Sequence, residues 1–243
     1  MVRNIIVSGG SSGIGFELIK YLLSNFKDAN IIGLSRSISK IKELKKYSNF
    51  YFYDVDLTIE SEVILTISKI YKKFEKIDFL INNAGAGIIK ILEETTLEDW
   101  NNMIKINVTS AFLLTKEILK NRANNNFLHI INISSEAGLE PFPTYCAYGS
   151  AKFALTGFSK ILKEEYRNKN VKVDIIYPGD VLTPFMQKCP LDKKLMEEYQ
   201  IEVLDEKYML KPLDIVKQVF YLMSLPKNVE LGDIKIIPSG NFK

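Results

Sequence analysis

Histidine and cysteine are almost missing from this 243-residue chain, which holds one His and two Cys. A protein zinc site draws three or four closely spaced ligands from His, Cys and carboxylates. His129, Cys146 and Cys189 show no such spacing, so a metal-free site is expected. Two cysteines are too few for a disulfide scaffold and suit a reducing compartment, the cytoplasm. No apolar run approaches the roughly 18 residues that mark a membrane span. Residues 1–8 run into a strand-like segment without a charged leader and cleavage site, so neither export nor membrane insertion is expected. Low-complexity tracts, Pro/Gly/Ser linkers and repeats of fixed period are also lacking, which removes the disordered, collagen-like and solenoid classes.

Charge of one sign does not dominate either. Lys and Arg number 32 against 29 Asp and Glu, for a net charge of +3, and the two signs are interleaved along the chain. Without a basic stripe or tail, nucleic acid is not expected as a partner. What remains is ordinary globular composition, 47% hydrophobic and 25% charged, at a length that suits one large domain with a sizeable core.

Short apolar runs alternate with longer stretches of helical period, the pattern of repeated βα units. Strands are expected at residues 4–7, 30–34, 50–53, 79–82, 128–133, 172–177 and 233–237. Amphipathic helices are expected between them, for example at 14–26 and 61–74, with longer ones at 100–120 and 148–167. This gives a single α/β domain over residues 1–243: a doubly wound parallel sheet of about seven strands with helices on both faces. Residues 184–211 carry no strand signal and form a candidate lid, where Phe185, Met186, Leu191, Leu195, Met196 and Tyr199 recur at partly helical spacing. Packing onto the body is the default reading of those side chains, and substrate contact by Phe185 or Met186 the alternative. His129 inside an apolar run reads as structural, and Cys146 as a small buried hydrophobe.

The first strand ends in Ser8-Gly9-Gly10-Ser11-Ser12-Gly13-Ile14-Gly15 and passes straight into a helix. Glycine there permits a tight turn and close backbone approach, and N–H groups at a helix start hold an anion. Read alone, this segment is either turn punctuation or a phosphate cradle. Four more short motifs follow in order: Asn82-Asn83-Ala84-Gly85 after the fourth strand, Asn107 in the next helix, Ser135 closing the fifth strand, and Tyr148-Gly149-Ser150-Ala151-Lys152. A further one, Pro178-Gly179-Asp180-Val181-Leu182-Thr183, follows the sixth strand. Together these motifs, spread over most of the chain, resemble the classical short-chain dehydrogenase/reductase family, whose cradle is matched by Ser8, Gly9, Gly13 and Gly15. The resemblance implies a Rossmann-type sheet, a nicotinamide dinucleotide, and a catalytic set of Asn107, Ser135, Tyr148 and Lys152. It also implies that Lys152 bonds the nicotinamide ribose and that Asn107 holds a water connecting Lys152 to solvent.

The residues support that chemistry on their own terms. Tyr148 and Lys152 lie four apart, so on a helix they share a face, where an ammonium favours the phenolate. Bringing a tyrosine from its ordinary value of about 10 to near 7 takes roughly 4 kcal/mol of differential stabilisation. Tyr148 would then give a proton to a carbonyl oxygen as hydride arrives, or accept one in the reverse direction. Ser135 would place a neutral donor on the same oxygen. Standing alone, a tyrosine and lysine at this spacing are an ordinary helix-surface pair.

Coenzyme choice is read at the end of the second strand. An NAD enzyme would place an acid there to bond the ribose 2′-hydroxyl, whereas this chain has Ser35-Arg36. Arg36 can pair with a 2′-phosphate, so NADP(H) is expected over NAD(H), the competing reading being a solvated loop arginine. Asp56 and Leu57 resemble the family's adenine-contacting pair, with an N-cap role for nearby Thr58 as the local alternative. The cofactor set expected from these motifs is Gly9, Ser11, Ser12, Gly13, Ile14, Gly15, Ser35, Arg36, Asp56, Leu57, Asn83, Ala84, Gly85, Tyr148, Lys152, Pro178, Gly179, Val181 and Thr183.

The expected activity is interconversion of a small-molecule carbonyl and a secondary alcohol by an NADP(H)-dependent carbonyl reductase. One alternative is a 3-oxoacyl-carrier-protein reductase, although the turn positions comparable to that group's basic docking residues are Asn126 and Lys169, and the tail from Ile234 to Gly240 matches only in part. That tail, with Leu225-Pro226-Lys227-Asn228-Val229-Glu230 before it, looks more like the branch acting on small hydroxy acids and hydroxy amino acids. An alternative of another class is a catalytically silent NADP(H)-binding sensor, which predicts an eroded tetrad; an extended-branch epimerase would be longer. By resemblance, a homo-oligomer, tetramer or dimer, forms through the two long helices at 100–120 and 148–167.

Overall fold

The structure, a computed structural model, describes residues 3–36, 39–187, 193–199 and 205–239. Seven strands, β1 (Arg3–Ser8), β2 (Ala29–Ser35), β3 (Phe50–Asp54), β4 (Phe79–Asn82), β5 (Leu128–Ile133), β6 (Val171–Pro178) and β7 (Ile234–Ile236), form one sheet. All pairings are parallel, in the order β3-β2-β1-β4-β5-β6-β7.

A parallel sheet is covered on both faces, so its strands run nearly continuously apolar instead of alternating. In β1, Ile5 and Val7 enter one core and Ile6 the other; in β5, Ile131 and Ile133 enter the first and Leu128 and Ile130 the second. The first core is closed by α1 (Gly13–Asn25) and α8 (Pro212–Ser224), through Leu18, Leu22, Ile215 and Val219. The second is closed by α2 (Glu60–Lys73), α4 (Ser110–Asn121) and α5 (Cys146–Tyr166), through Ile67, Leu114 and Leu162. The strand order reverses between β1 and β4, and in such sheets ligands bind beyond the carboxyl ends of the strands at that switch point.

The helix expected over residues 100–120 is divided. It runs as α3 (Leu97–Ile104), a π-helical turn over Lys105–Thr109, and α4. A capping box between Thr96 and Asp99 starts α3 three residues earlier than its period suggested. The π turn inserts one residue without ending the helix, a device common at functional sites, and it carries the fully buried Asn107. Thr58 does not cap α2, whose N-cap is Ile59; its N–H and hydroxyl instead bond Asp56.

Of the candidate lid, α6 (Pro184–Gln187), α7 (Lys193–Glu198) and a 3-10 turn (Glu206–Tyr208) are described. Cys189 and Leu191 lie outside the described residues, as do the side chains of Met186 and Met196. His129 is buried in β5 with Nε2 2.7 Å from Asp174 Oδ2, and burial lowers its pKa from the usual histidine value. Among the described residues, no helix is long and apolar enough to cross a membrane.

Candidate active site

The β1–α1 turn is built against the loop that follows β4. Gly9 has φ of +69°, and a β-carbon there would stand 2.8 Å from Ala84 Cα and 2.9 Å from Asn83 Nδ2. Ser8 Oγ accepts the backbone N–H groups of Asn83 and Ala84, both at 3.0 Å, and Asn83 Nδ2 donates to Ser8 O at 3.1 Å. Gly15 packs beneath, where an added β-carbon would meet Gly9 O at 2.5 Å. These contacts fix the turn so that α1 starts at the switch point. Ser12, its N-cap, makes no side-chain bond to the first turn, so the helix start keeps backbone donors for an anion.

At the far end of the turn, Ser35 and Arg36 follow from β2. Arg36 Nη1 is 3.8 Å from Asp56 Oδ2, and the arginine side chain is 70% exposed. Asp56 Oδ1 accepts from Thr58 N at 2.9 Å and Thr58 Oγ1 at 2.8 Å. Burial works to raise the Asp56 pKa, but the Thr58 bonds and the charges of Arg36 and Lys105 outweigh it and hold it below the usual value. An acid therefore does stand beside Arg36, supplied by the end of β3 and not by β2.

The catalytic candidates meet over the end of β5. Tyr148 and Lys152 are buried one turn apart on α5, with Lys152 Nζ 5.8 Å from the Tyr148 ring centre. Lys152 donates to the carbonyl oxygen of Ile133 at 3.2 Å, and burial lowers its pKa to about 8. Ser135 starts a 3-10 turn, Glu136–Gly138, and its Oγ accepts the N–H of Ala137 at 3.2 Å. Asn107 Nδ2 donates to Ala86 O at 2.9 Å and Met103 O at 3.0 Å, and its Oδ1 accepts Ala86 N at 3.3 Å. A β-carbon on Gly85 would lie 2.8 Å from Asn107 Oδ1 and 3.6 Å from Lys152 Nζ, so both groups flank one point beside that loop.

One cleft of about 730 Å³ joins these parts, within the usual range for ligand pockets. Ser11, Ser12, Gly13 and Ile14 line it with Gly9; Leu57, Asn83, Ala84 and Gly85 follow; Ser135, Tyr148 and Lys152 stand at the other end with Pro178, Gly179, Val181 and Thr183. Gly15 and Asn107 support this lining from behind. Phe185 lines the cleft and does not merely pack on the body. Tyr145, Glu136 and Asp180 line it as well. The sequence placed the substrate pocket near residues 136–144 and 184–211, which takes in Glu136, but it gave no role to Tyr145 or to Asp180, although Asp180 lies inside the Pro178–Thr183 motif.

The glycine cradle, whose backbone a single β-carbon would obstruct, and the uncapped start of α1 fit a dinucleotide. The comparisons with known proteins agree. The short chain dehydrogenase family matches residues 3–194. The chain is 29% identical over 243 residues to 3-oxoacyl-(acyl-carrier-protein) reductase FabG of Buchnera aphidicola subsp. Baizongia pistaciae, covering 98% of this chain and 96% of that one. The closed form of serine dehydrogenase complexed with NADP+ matches with a TM-score of 0.84 and 26% identity, covering 97% of this chain and 94% of that one. A 4-hydroxyisoleucine dehydrogenase mutant complexed with NADH and succinate matches with a TM-score of 0.85 and 26% identity, covering 97% of both chains. The chain belongs to the short chain dehydrogenase family of oxidoreductases.

Proposed function

We propose that the protein is an NADP(H)-dependent oxidoreductase that interconverts a carbonyl and a secondary alcohol, with Tyr148 as general acid and base. The observation that carries this reading is the meeting of Ser135, Tyr148 and Lys152 in the cleft that also holds the glycine cradle and Arg36. When bound there, the nicotinamide nucleotide supplies or accepts the hydride.

This chain's residues do the rest. Ser11, Ser12, Gly13 and Ile14 would hold the pyrophosphate with backbone donors, Gly9, whose own N–H bonds Leu34 O at 2.9 Å, would let the nucleotide approach closely, Arg36 would hold the 2′-phosphate, and Asp56 and Leu57 would face the adenine. Asn83, Ala84, Gly85, Pro178, Gly179, Val181 and Thr183 shape the wall along the rest of the nucleotide. Ser135 Oγ already accepts from Ala137, so its own O–H is left to donate to the substrate oxygen. Tyr148 donates its proton to that oxygen during reduction and takes it back during oxidation. Lys152, buried beside the phenol, stabilises the phenolate and would bond the nicotinamide ribose. Asn107 fixes the loop at Ala86 and turns Oδ1 to the point shared with Lys152, where a water would relay the proton.

The test is NADPH oxidation with a carbonyl panel, run beside NADH. Tyr148→Phe is expected to lower kcat/KM by about 10²-fold or more; unchanged turnover refutes the mechanism, and tight NADPH binding without turnover by the native chain favours the silent-sensor reading. A 3-oxoacyl-carrier-protein reductase is the second reading, favoured by the 29% identity to FabG, and acyl thioesters in the panel test it. Phe112 on α4, and Phe153 and Ile161 on α5, are 43%, 44% and 62% exposed. We assign these faces to a homo-oligomer, and a monomer by light scattering at micromolar concentration counts against that assignment.

A further inference from the structure

Four aromatic rings form a continuous ladder along the catalytic end of the cleft. The centroid of Phe142 lies 5.9 Å from that of Tyr145, Tyr145 lies 5.7 Å from Tyr148, and Tyr148 lies 5.6 Å from Phe185. Successive rings are tilted by 58°, 52° and 52°, and all four residues line the cleft. Rings at such separations present edges and faces that a further ring extends favourably, beyond the area it buries. The phenol expected to move the proton is itself the third member, so a group bound to its oxygen lies against this wall.

The charges lining the same end are mostly negative. Among the described residues lining the cleft, the cations are Arg36 and Lys152, and the carboxylates are Asp56, Glu136 and Asp180. Arg36 and Asp56 stand at the ends of β2 and β3, and β2 is three strand spacings from β5, about 14 Å. Next to the ladder this leaves Glu136 and Asp180 with Lys152, whose ammonium is engaged by Ile133 O. Lys235 pairs with Glu136 at 2.9 Å but is not among the lining residues. Burial, and then the charge of Glu136, raise the pKa of Asp180 above the usual carboxylate value, so this end already disfavours one negative charge.

We infer that the substrate is a carbonyl compound carrying an aromatic or planar apolar group beside the reacting carbon and no carboxylate, and that the Phe142–Tyr145–Phe185 wall with Glu136 and Asp180 sets this choice. The inference rests on the oxidoreductase reading above and deepens it. A substrate carboxylate would add a further negative charge beside Glu136 and Asp180, where Lys152 is the one lining cation at this end among the described residues. A flat apolar group would extend the ladder.

The experiment uses matched pairs with the full-length chain and either coenzyme. 1-Phenyl-1,2-propanedione against 2,3-butanedione varies the ring, and ethyl benzoylformate against benzoylformate varies the charge. A kcat/KM at least ten times higher for the aryl member and at least ten times higher for the ester is expected. Phe185→Ala should shrink the first ratio, and Asp180→Asn the second. Equal or reversed ratios overturn the inference and leave the oxidoreductase reading standing. No turnover on any of the four compounds with either coenzyme overturns that reading, and the inference with it.

Discussion

Lys152 Nζ lies 3.2 Å from the carbonyl oxygen of Ile133 and 5.8 Å from the centre of the Tyr148 ring, so one buried ammonium ties the end of β5 to the phenol on α5. Burial lowers the pKa of this lysine from 10.5 to about 8. Below pH 8 the folded chain holds a charge away from water that the unfolded chain keeps solvated, and the cost is fully present. Between pH 8 and 10.5 the unfolded state binds the proton more tightly, so stability from this group rises with pH. The full cost is about 3 kcal/mol. Lys152→Met is therefore expected to be inactive yet more stable than the native chain at pH 7, by up to about 3 kcal/mol, with the gap closing as pH approaches 10. Urea denaturation of both proteins across that range checks it; a gap independent of pH would show that burial of this charge costs nothing.

The strands were legible because a parallel sheet covered on both faces writes near-continuous apolar runs, and those at 79–82 and 128–133, the second interrupted by His129 and Asn132, end where β4 and β5 end. The division of the helix at Asn107 was not legible. A π turn adds one residue to a helix whose apolar period continues on either side, so the period alone reads as a single element. The cleft was legible where backbone demands glycine or a motif fixes the order, as at Gly9, Ser135 and Tyr148. It was not legible where the lining depends on how distant loops fold over one another. Tyr145, Glu136 and Asp180 come from three turns after β5 and β6, and nothing local in the sequence joins them.

Gly9 and Gly13 both have positive φ, +69° and +55°, but a β-carbon at Gly13 would have room, with Thr183 at 3.5 Å, whereas at Gly9 it would meet Ala84 at 2.8 Å. Gly13→Ala should thus cost only the left-handed backbone, about 1–2 kcal/mol. Gly9→Ala must in addition separate the β1–α1 turn from the β4 loop. The measurement is a pair of denaturation curves with NADP+ titration by calorimetry, in which Gly9→Ala is expected to lose more of both stability and binding. Equal losses would mean that the close approach to Ala84 is not needed.

Coenzyme choice should turn on the pair Arg36–Asp56, 3.8 Å apart. A 2′-phosphate received by Arg36 would lie close to the Asp56 carboxylate, which Thr58 holds in place. Arg36→Ala is expected to weaken binding of 2′,5′-ADP by about tenfold or more while barely changing that of 5′-AMP, since one charge-assisted contact contributes about 1.5–3 kcal/mol. Asp56→Asn should shift the ratio the other way, toward the 2′-phosphorylated nucleotide. Calorimetric titration of the two fragments reads both effects without catalysis, and an Arg36→Ala variant that keeps its preference would place the phosphate elsewhere.

The ring of Phe185 occupies the space in which a side chain on Gly87 would stand, with Cζ 2.3 Å from the position of the missing β-carbon. The obstructing atom is the end of a ring on α6, a four-residue helix, so Gly87→Ala is expected to displace the ring and leave the fold nearly as stable. That displacement parts Phe185 from Tyr148, whose rings now stand 5.6 Å apart, and opens the wall beside the reacting oxygen. The expected result is a higher KM for 1-phenyl-1,2-propanedione with a melting temperature close to that of the native chain. In a Phe185→Ala background there is no ring left to displace, so Gly87→Ala should then have almost no further effect on KM. Residues in contact commonly show coupling of about 0.5–3 kcal/mol in such a cycle. Additive effects of the two substitutions would mean that Gly87 acts on substrate binding by a route other than the position of Phe185.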